Sequence, residues 1–517
     1  MRAPLRIAVV LVALAIVARA WTTLAGPGDL PAFDAADYLA RALRVLDGVD
    51  GELLRPDMHP PGWPFALAAW MGLVGRGFLA ARVLATLLSL IAVAQLAWLG
   101  RKLDPERGAL AGAIAGTLAM ATGEHLRLVT APMTEPLALV VTLGALIAAV
   151  DLPDARHPWP HLRFGLWVLA GALVRYNVAP MLIAPVVLHR LATTRRLDVA
   201  AVMWVAPVML VFVAWEAASR GVLAEVGSFT RNLDSQLPFW RDLTWVPEAL
   251  AEHYAGWPAA VAGMVAFVAA LARPADPRVR LVQAWVVVAV AAIALHPYKL
   301  ARTLHPVVPI GGLVVALAFA RVHVRAHVLA GFAALAWVAI MLRPARMEEL
   351  KKDADVFANA AAAEIVARAV RYGELGARVK VVVSGRTLAY PAVEVALRMR
   401  HLPAHVVKGS PAMNRCESGA CPERLAEALE PVPDGRTVWL AIADEERMKL
   451  PKQSKPPLST RFVPETPKRN HPSIRQAAAF EAGAEARGLT LLERYEDPEG
   501  WLVASFWGYP AGQATGF

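Results

Sequence analysis

Residues 76–103 read RGFLAARVLATLLSLIAVAQLAWLGRKL, and the stretch about 78 to 100 holds a single charged side chain, Arg82. At 1.5 Å per helical residue it is long enough to cross roughly 30 Å of hydrocarbon. The DPER that follows adds Arg107 to Arg101 and Lys102, and such a basic loop marks the cytoplasmic end of a span. Similar apolar runs recur along the chain and stop near Leu342. With 57% hydrophobic against 19% charged residues and a mean hydropathy of +0.43, the composition is that of a membrane protein. From Arg343 the chain turns polar, with Lys351, Lys352, PKQSKPP and PETPKRNHPS. Residues 1–342 therefore read as a transmembrane domain and 343–517 as a soluble one.

Working outward from that span, the basic start MRAPLR precedes a first apolar segment, read as an uncleaved span. Further spans fall near 108–122, 136–150, 199–218, 257–272, 281–296, 306–320 and 328–342. Region 164–188 divides into two short helices turning at RYNVAP, because a lone Arg175 in mid-membrane is costly and Pro180 interrupts the pattern. The total is about eleven spans. This topology leaves the loops near 33–64, 121–135 and 296–305, and the C-terminal domain, on the extracytoplasmic side. The net charge of +10 sits in short loops such as HRLATTRR and RVHVRAH, which fits positive-inside orientation and implies no nucleic-acid partner.

The first outer loop carries FDAADYLARALRVLDG, where Leu39, Leu43 and Leu46 repeat at helical spacing and Arg41, Arg44 and Asp47 lie on other faces. This reads as an amphipathic helix lying on the membrane surface. Ionisable residues collect on the same side: Asp34, Asp37 and His59 from this loop, Glu124, His125, Arg127 and Glu135 from the next, and His296, Lys299, Arg302 and His305 from a third. Each has a plainer reading. Asp34 and Asp37 suit a helix N-terminus, Thr134 to Pro136 a helix start, and Lys299 and Arg302 a headgroup boundary. Trp240, Trp245 and Trp257 have the chemistry to stack on sugars and equally that of interfacial belt residues. In the C-terminal domain VKVVVSG, TLAYPAVEVALRMR and AHVVKG read as strand, helix, strand, with TVWLAIAD and WLVASFWG as further strands of an α/β fold. Cys416 and Cys421 in RCESGAC form a small-loop disulfide if that domain faces an oxidising compartment.

Asp34 four positions before Tyr38, the VLDG ending, HPPGWPFALAAWMGLVG, the 76–103 span, APMTEPLALVVTLGALIAA and ARTLHPVVPIGGL together resemble the GT-C glycosyltransferases over roughly residues 5 to 342. The nearest branch is that of protein O-mannosyltransferase-like and aminoarabinose-transferase-like enzymes. The resemblance implies a polytopic helical membrane fold in the bacterial inner membrane, with its site outside the cytoplasm. It implies a polyprenyl-phosphate-sugar donor and a glycan, lipid or protein hydroxyl acceptor. Asp34 would be the base, Arg302 with Lys299 and His59 would hold the lipid phosphate, and Glu135 would orient the acceptor or help hold a divalent metal ion. Asp37, Tyr38, Arg127 and His305 would line the substrate. Two positions depart from the family's usual pattern: Asp34 is followed by Ala35 rather than a second acid, and His59 stands where many members have lysine. The rival class is a transporter or lipid flippase, which places its ionisable groups nearer mid-membrane and repeats its halves.

Overall fold

The computed structural model describes residues 33–49, 59–154, 157–195, 205–206, 209–214, 217, 245–273, 275–295, 301–320, 360–384, 390–405, 411–415, 421–433, 435–444, 472–496 and 502–509. The first helix, α1 (Phe33–Leu46), is followed by α2 (Gly62–Val74), α3 (Phe78–Leu103), α4 (Gly108–Met120), α5 (Gly123–Thr130), α6 (Glu135–Ala149), α7 (Trp159–Val174) and α8 (Val178–Thr194). After a short helix Trp245–Ala249 and a π-helical turn come α9 (Trp257–Leu271), α10 (Pro277–Leu295), a 3-10 turn Ala301–Leu304 and α11 (Val307–Ala320).

The span that opened the reading is α3, 26 residues long. It stops at Asp104, whose Oδ1 accepts the backbone N–H groups of Glu106 and Arg107 at 3.1 Å each and turns the chain into α4. Gly108, Gly112 and Gly116 repeat every fourth residue on α4. A Cβ on Gly112 would sit 2.0 Å from the Leu96 carbonyl oxygen, so α3 and α4 touch backbone to backbone. In a bilayer, where lipid tails are as apolar as Leu, such close approach supplies the packing that holds helices together.

Two helices among the described residues, α3 and α10, are long and apolar enough to cross a membrane, and α5 with α6 adds a third if that pair, bent by 111°, is one span. The expected count of about eleven is not reproduced. Several expected spans are short helices of 13 to 17 residues, and others, including 328–342, lie outside the described residues, as does the expected boundary at 342. The division of 164–188 is present: α7 ends at Val174, Arg175 to Asn177 turn, and α8 begins at Val178.

The C-terminal domain comprises α12 (Ala360–Glu374), β1 (Ala377–Val383), α13 (Tyr390–Met399), α14 (Pro422–Leu429), β2 (Arg436–Asp444), α15 (Pro472–Ala486), β3 (Thr490–Glu496) and β4 (Leu502–Gly508). The strand order is β1-β2-β4-β3, with β1 parallel to β2 and both other pairs antiparallel. Val381, Leu440 and Phe506 pack with α12 and α13 on one face, and Trp439 and Trp507 with Phe480 and Leu429 on the other. Two expectations change. The described part of AHVVKG contributes a single bridge, Ala404 to Val379, and the sheet has an edge strand, β3, whose slight burial gives it no apolar alternation. Cys421 is disulfide-bonded, and the sequence holds one other cysteine, Cys416, which lies outside the described residues.

α1 is helical as its leucines require, but it is no surface helix. Leu39 and Leu43 are buried in the helical core, and Arg41 and Arg44 are only 2% and 3% exposed. The C-terminal domain covers the Arg44 side, where α13 packs along α1 and Arg44 Nη1 donates to Glu394 Oε2 at 3.0 Å.

Replacing Gly112 by Leu would force α3 and α4 apart. Overpacking of this kind costs about 1–3 kcal/mol, and the purified variant should unfold at a lower temperature in detergent than the parent protein. An unchanged transition would show that the two backbones are not in contact.

Candidate active site

Asp34, Tyr38 and Arg41 are spaced by four and three residues, so they share one face of α1. Arg41 Nη1 donates to the His59 carbonyl at 2.9 Å and draws the segment before α2 against that face. Four residues on, Trp63 Nε1 donates to the Pro132 carbonyl at 3.0 Å and pins α2 to the break between α5 and α6. His59 is thereby held with its Nδ1 3.4 Å from the Tyr38 hydroxyl and its Nε2 4.0 Å from Asp34 Oδ1, the two rings meeting edge to face at 4.9 Å.

Arg302 enters from the 3-10 turn ahead of α11. Its Nη1 lies 2.7 Å from Asp34 Oδ2 and its Nε 3.6 Å from Glu135 Oε1. Arg175, at the break between α7 and α8, places Nη1 2.6 Å from the same Glu135 oxygen. Basic and acidic side chains thus alternate along a row, His59, Asp34, Arg302, Glu135, Arg175, drawn from five separate segments. Glu135 is 1% exposed on its side chain, which a carboxylate tolerates only with such partners. Among the described residues the Arg302 Nε–H has no hydrogen-bond acceptor, since Glu135 lies beyond bonding distance.

This field fixes protonation. Burial pushes the Asp34 carboxyl up, but the Arg302 guanidinium, then His59, outweigh it and hold Asp34 below the usual aspartate range. Burial and the neighbouring carboxylates push the Tyr38 hydroxyl well up, so it stays neutral. Arg302 loses by burial and gains more from Glu135 and Asp34, so it stays charged.

Not every expected residue joins the row. Arg127 is occupied by Glu124, with Nε to Oε2 at 3.0 Å and Nη2 to Oε1 at 2.5 Å, and His253 Nδ1 lies 3.9 Å from that carboxylate. His305 is buried, its Nε2 2.6 Å from His125 Nδ1 with the rings stacked, so it ties α5 to the start of α11, and it lies within electrostatic reach of Glu135. Asp37 is half-buried, one helical turn along α1. Lys299, His296 and Trp240 lie outside the described residues. Trp245 is buried and offers no stacking face, whereas Trp257 is exposed at the start of α9.

Arg175 is not among the residues expected at the site, yet it pairs with Glu135 there. Its signal was in the sequence, since an arginine too costly to leave in lipid needs a carboxylate at another helix end, and Glu135 is one. A small crevice, with room on the scale of a water molecule and no more, opens beside that pair, with Asn177 and Thr303 also at its lining and Met181, Leu182 and Trp285 supplying apolar wall. As for a divalent ion, no three His, Cys, Asp or Glu side chains converge among the described residues, and Asp34 and Glu135 are each committed to a guanidinium. This donor set does not fit one.

No family model matches the sequence, and no curated protein matches it. Solved structures do. ArnT from Cupriavidus metallidurans in the apo state matches with a TM-score of 0.60 at 14% identity, and the same protein bound to undecaprenyl phosphate with 0.58 at 13%; each match covers 96% of this chain and 97% of ArnT. The archaeal oligosaccharyltransferase AglB from Archaeoglobus fulgidus, in complex with an inhibitory peptide and a dolichol-phosphate, matches with 0.52 at 12%, covering 98% of this chain and 74% of AglB. Identity this low speaks for architecture alone: the chain shares the fold of ArnT and AglB, the fold that the resemblance carried by the short motifs implies.

Proposed function

We propose that this protein is an integral membrane glycosyltransferase that moves a sugar from a polyprenyl-phosphate-linked donor to an acceptor hydroxyl, with inversion, at a site outside the cytoplasm of a bacterial inner membrane. The observation that carries the reading is the arrangement around Arg302: an ionised aspartate on one edge of the guanidinium and, on another, an Nε–H near Glu135 that has no hydrogen-bond acceptor among the described residues. That is what a displacement at an anomeric carbon requires, a proton acceptor and a phosphate-binding cation a few ångströms apart.

The acceptor hydroxyl attacks the anomeric carbon while Asp34 takes its proton. The new bond is between that carbon and the acceptor oxygen. The bond that breaks joins the carbon to the phosphate oxygen, and its electron pair leaves with the lipid phosphate. Arg302 meets the charge developing there, supported by His59 and Lys299. Tyr38, neutral and beside His59, is a hydroxyl donor to the sugar or phosphate. Glu135 does its work by fixing Arg302 and Arg175 at once.

Transfer from a labelled polyprenyl-phosphate sugar by the detergent-solubilised protein tests the reading directly. A transporter, with no sealed membrane to work across, produces nothing. Asp34→Asn should lose about 10²- to 10⁴-fold in turnover while still binding the lipid donor; full activity would remove Asp34 from the base role. Arg302→Ala should remain folded and lose donor affinity.

The pH profile carries a sign. Because Asp34 is held below the usual aspartate range, kcat/KM should stay level down to that range and fall only beneath it. In Arg302→Gln burial acts without its opposing cation, so the acid limb of the residual activity should move to higher pH. A limb that stays in place would assign it to another group.

A further inference from the structure

α1 has a second polar face, and it looks away from the reacting groups. Ala36, Ala40, Arg44 and Asp47 follow at intervals of four, four and three residues, on the side of the helix met by α13. Ala36 is buried in the same apolar cluster as Ile365, Val393 and Leu397 of the C-terminal domain, while Val395 of α13 is buried in the helical core with Leu39 and Leu43. Across this seam Glu394 accepts from Arg44 at 3.0 Å and from Arg398 at 2.8 Å, and Arg398 also pairs with Asp47, which in turn pairs with Arg76 ahead of α3. Arg44 and Glu394 are each 3% exposed.

Apolar contacts along a helix tolerate sliding and rotation, but a buried hydrogen-bonded ion pair has one geometry, and a mismatch leaves a charge without compensation. Arg44 lies ten residues from Asp34, about 15 Å along a rigid helix. A rotation of about 10° at the seam moves a carboxylate lying about 6 Å off the axis by about 1 Å, on the scale that separates productive from unproductive geometry.

We infer that Glu394 and Arg398 are positioning residues for the transfer reaction: through Arg44 and Asp47 the C-terminal domain sets the rotation of α1 and so the placement of Asp34 against Arg302. This rests on the reading of Asp34 as the base. The C-terminal domain is then part of the catalytic framework, and whatever binds it acts on the chemistry through α13.

The test uses the full-length protein with Glu394→Gln, the milder Asp47→Asn at the partly exposed end of the network, and the conservative Glu394→Asp. Two quantities are measured: transfer from a labelled undecaprenyl-phosphate sugar, and carbodiimide labelling of Asp34 read by mass spectrometry. Glu394→Gln should lower kcat by about 10- to 100-fold with donor KM held within about twofold, and raise Asp34 labelling several-fold as its pairing with Arg302 loosens. Asp47→Asn should do the same to a smaller degree, and Glu394→Asp should recover much of the loss. Unchanged kcat and unchanged labelling in both Glu394→Gln and Asp47→Asn would overturn the inference, as would losses that only track a collapsed unfolding transition. A parent protein that transfers no sugar, combined with increased labelling in Glu394→Gln, would leave the coupling standing and remove the proposed activity alone.

Discussion

Arg302 lies between two carboxylates, and the polar centre is organised by that fact. A guanidinium does not lose its proton, so it is a fixed positive charge placed among groups that burial would otherwise neutralise. Asp34 at 2.7 Å is kept ionised by it despite being largely enclosed, and Glu135 at 3.6 Å shares it with Arg175. Remove the cation and burial alone would favour a protonated, chemically idle Asp34. The row of alternating charge is a single electrostatic object, and each member makes its neighbours tenable.

The fold brings those members together by breaking helices. Arg175 sits where α7 gives way to α8, Glu135 where α5 turns by 111° into α6, and Arg302 in the 3-10 turn before α11. In a low-dielectric setting a helix interior satisfies its own backbone and leaves little room for a charged side chain, whereas a break provides both an exit from the apolar phase and free backbone groups. Tight packing elsewhere, such as the backbone contact at Gly112, gives the breaks rigid flanks.

α1 links this centre to the rest of the chain. One face carries Asp34 and Tyr38, a second buries Leu39 and Leu43, and a third meets α13 through Arg44. Two apolar clusters meet along it, each containing a residue from the other domain, Ala36 in one and Val395 in the other. A helix enclosed in this way has little freedom of its own, so its placement is a joint property of both domains.

The sequence by itself determined the class of the protein. Apolar length in α3, the basic residues after it and the leucine spacing of α1 are local signals, legible because hydrophobic burial has a period and a minimum length. It also placed Asp34, Glu135 and Arg302 on one side, since charges at span ends are few and conspicuous. Tertiary structure alone decided which of them meet. Arg127 was captured by Glu124 three residues away and His305 by His125 across the fold, while Arg175 joined the row from a turn that looked merely structural. The structure differs from the surface-helix expectation for α1 for the same reason: the partners of its Arg44 and Asp47, Glu394 and Arg398, lie some 350 residues further on. Pairing between distant charges depends on how helices are turned toward one another, and that rotation is set by packing, which no local pattern records.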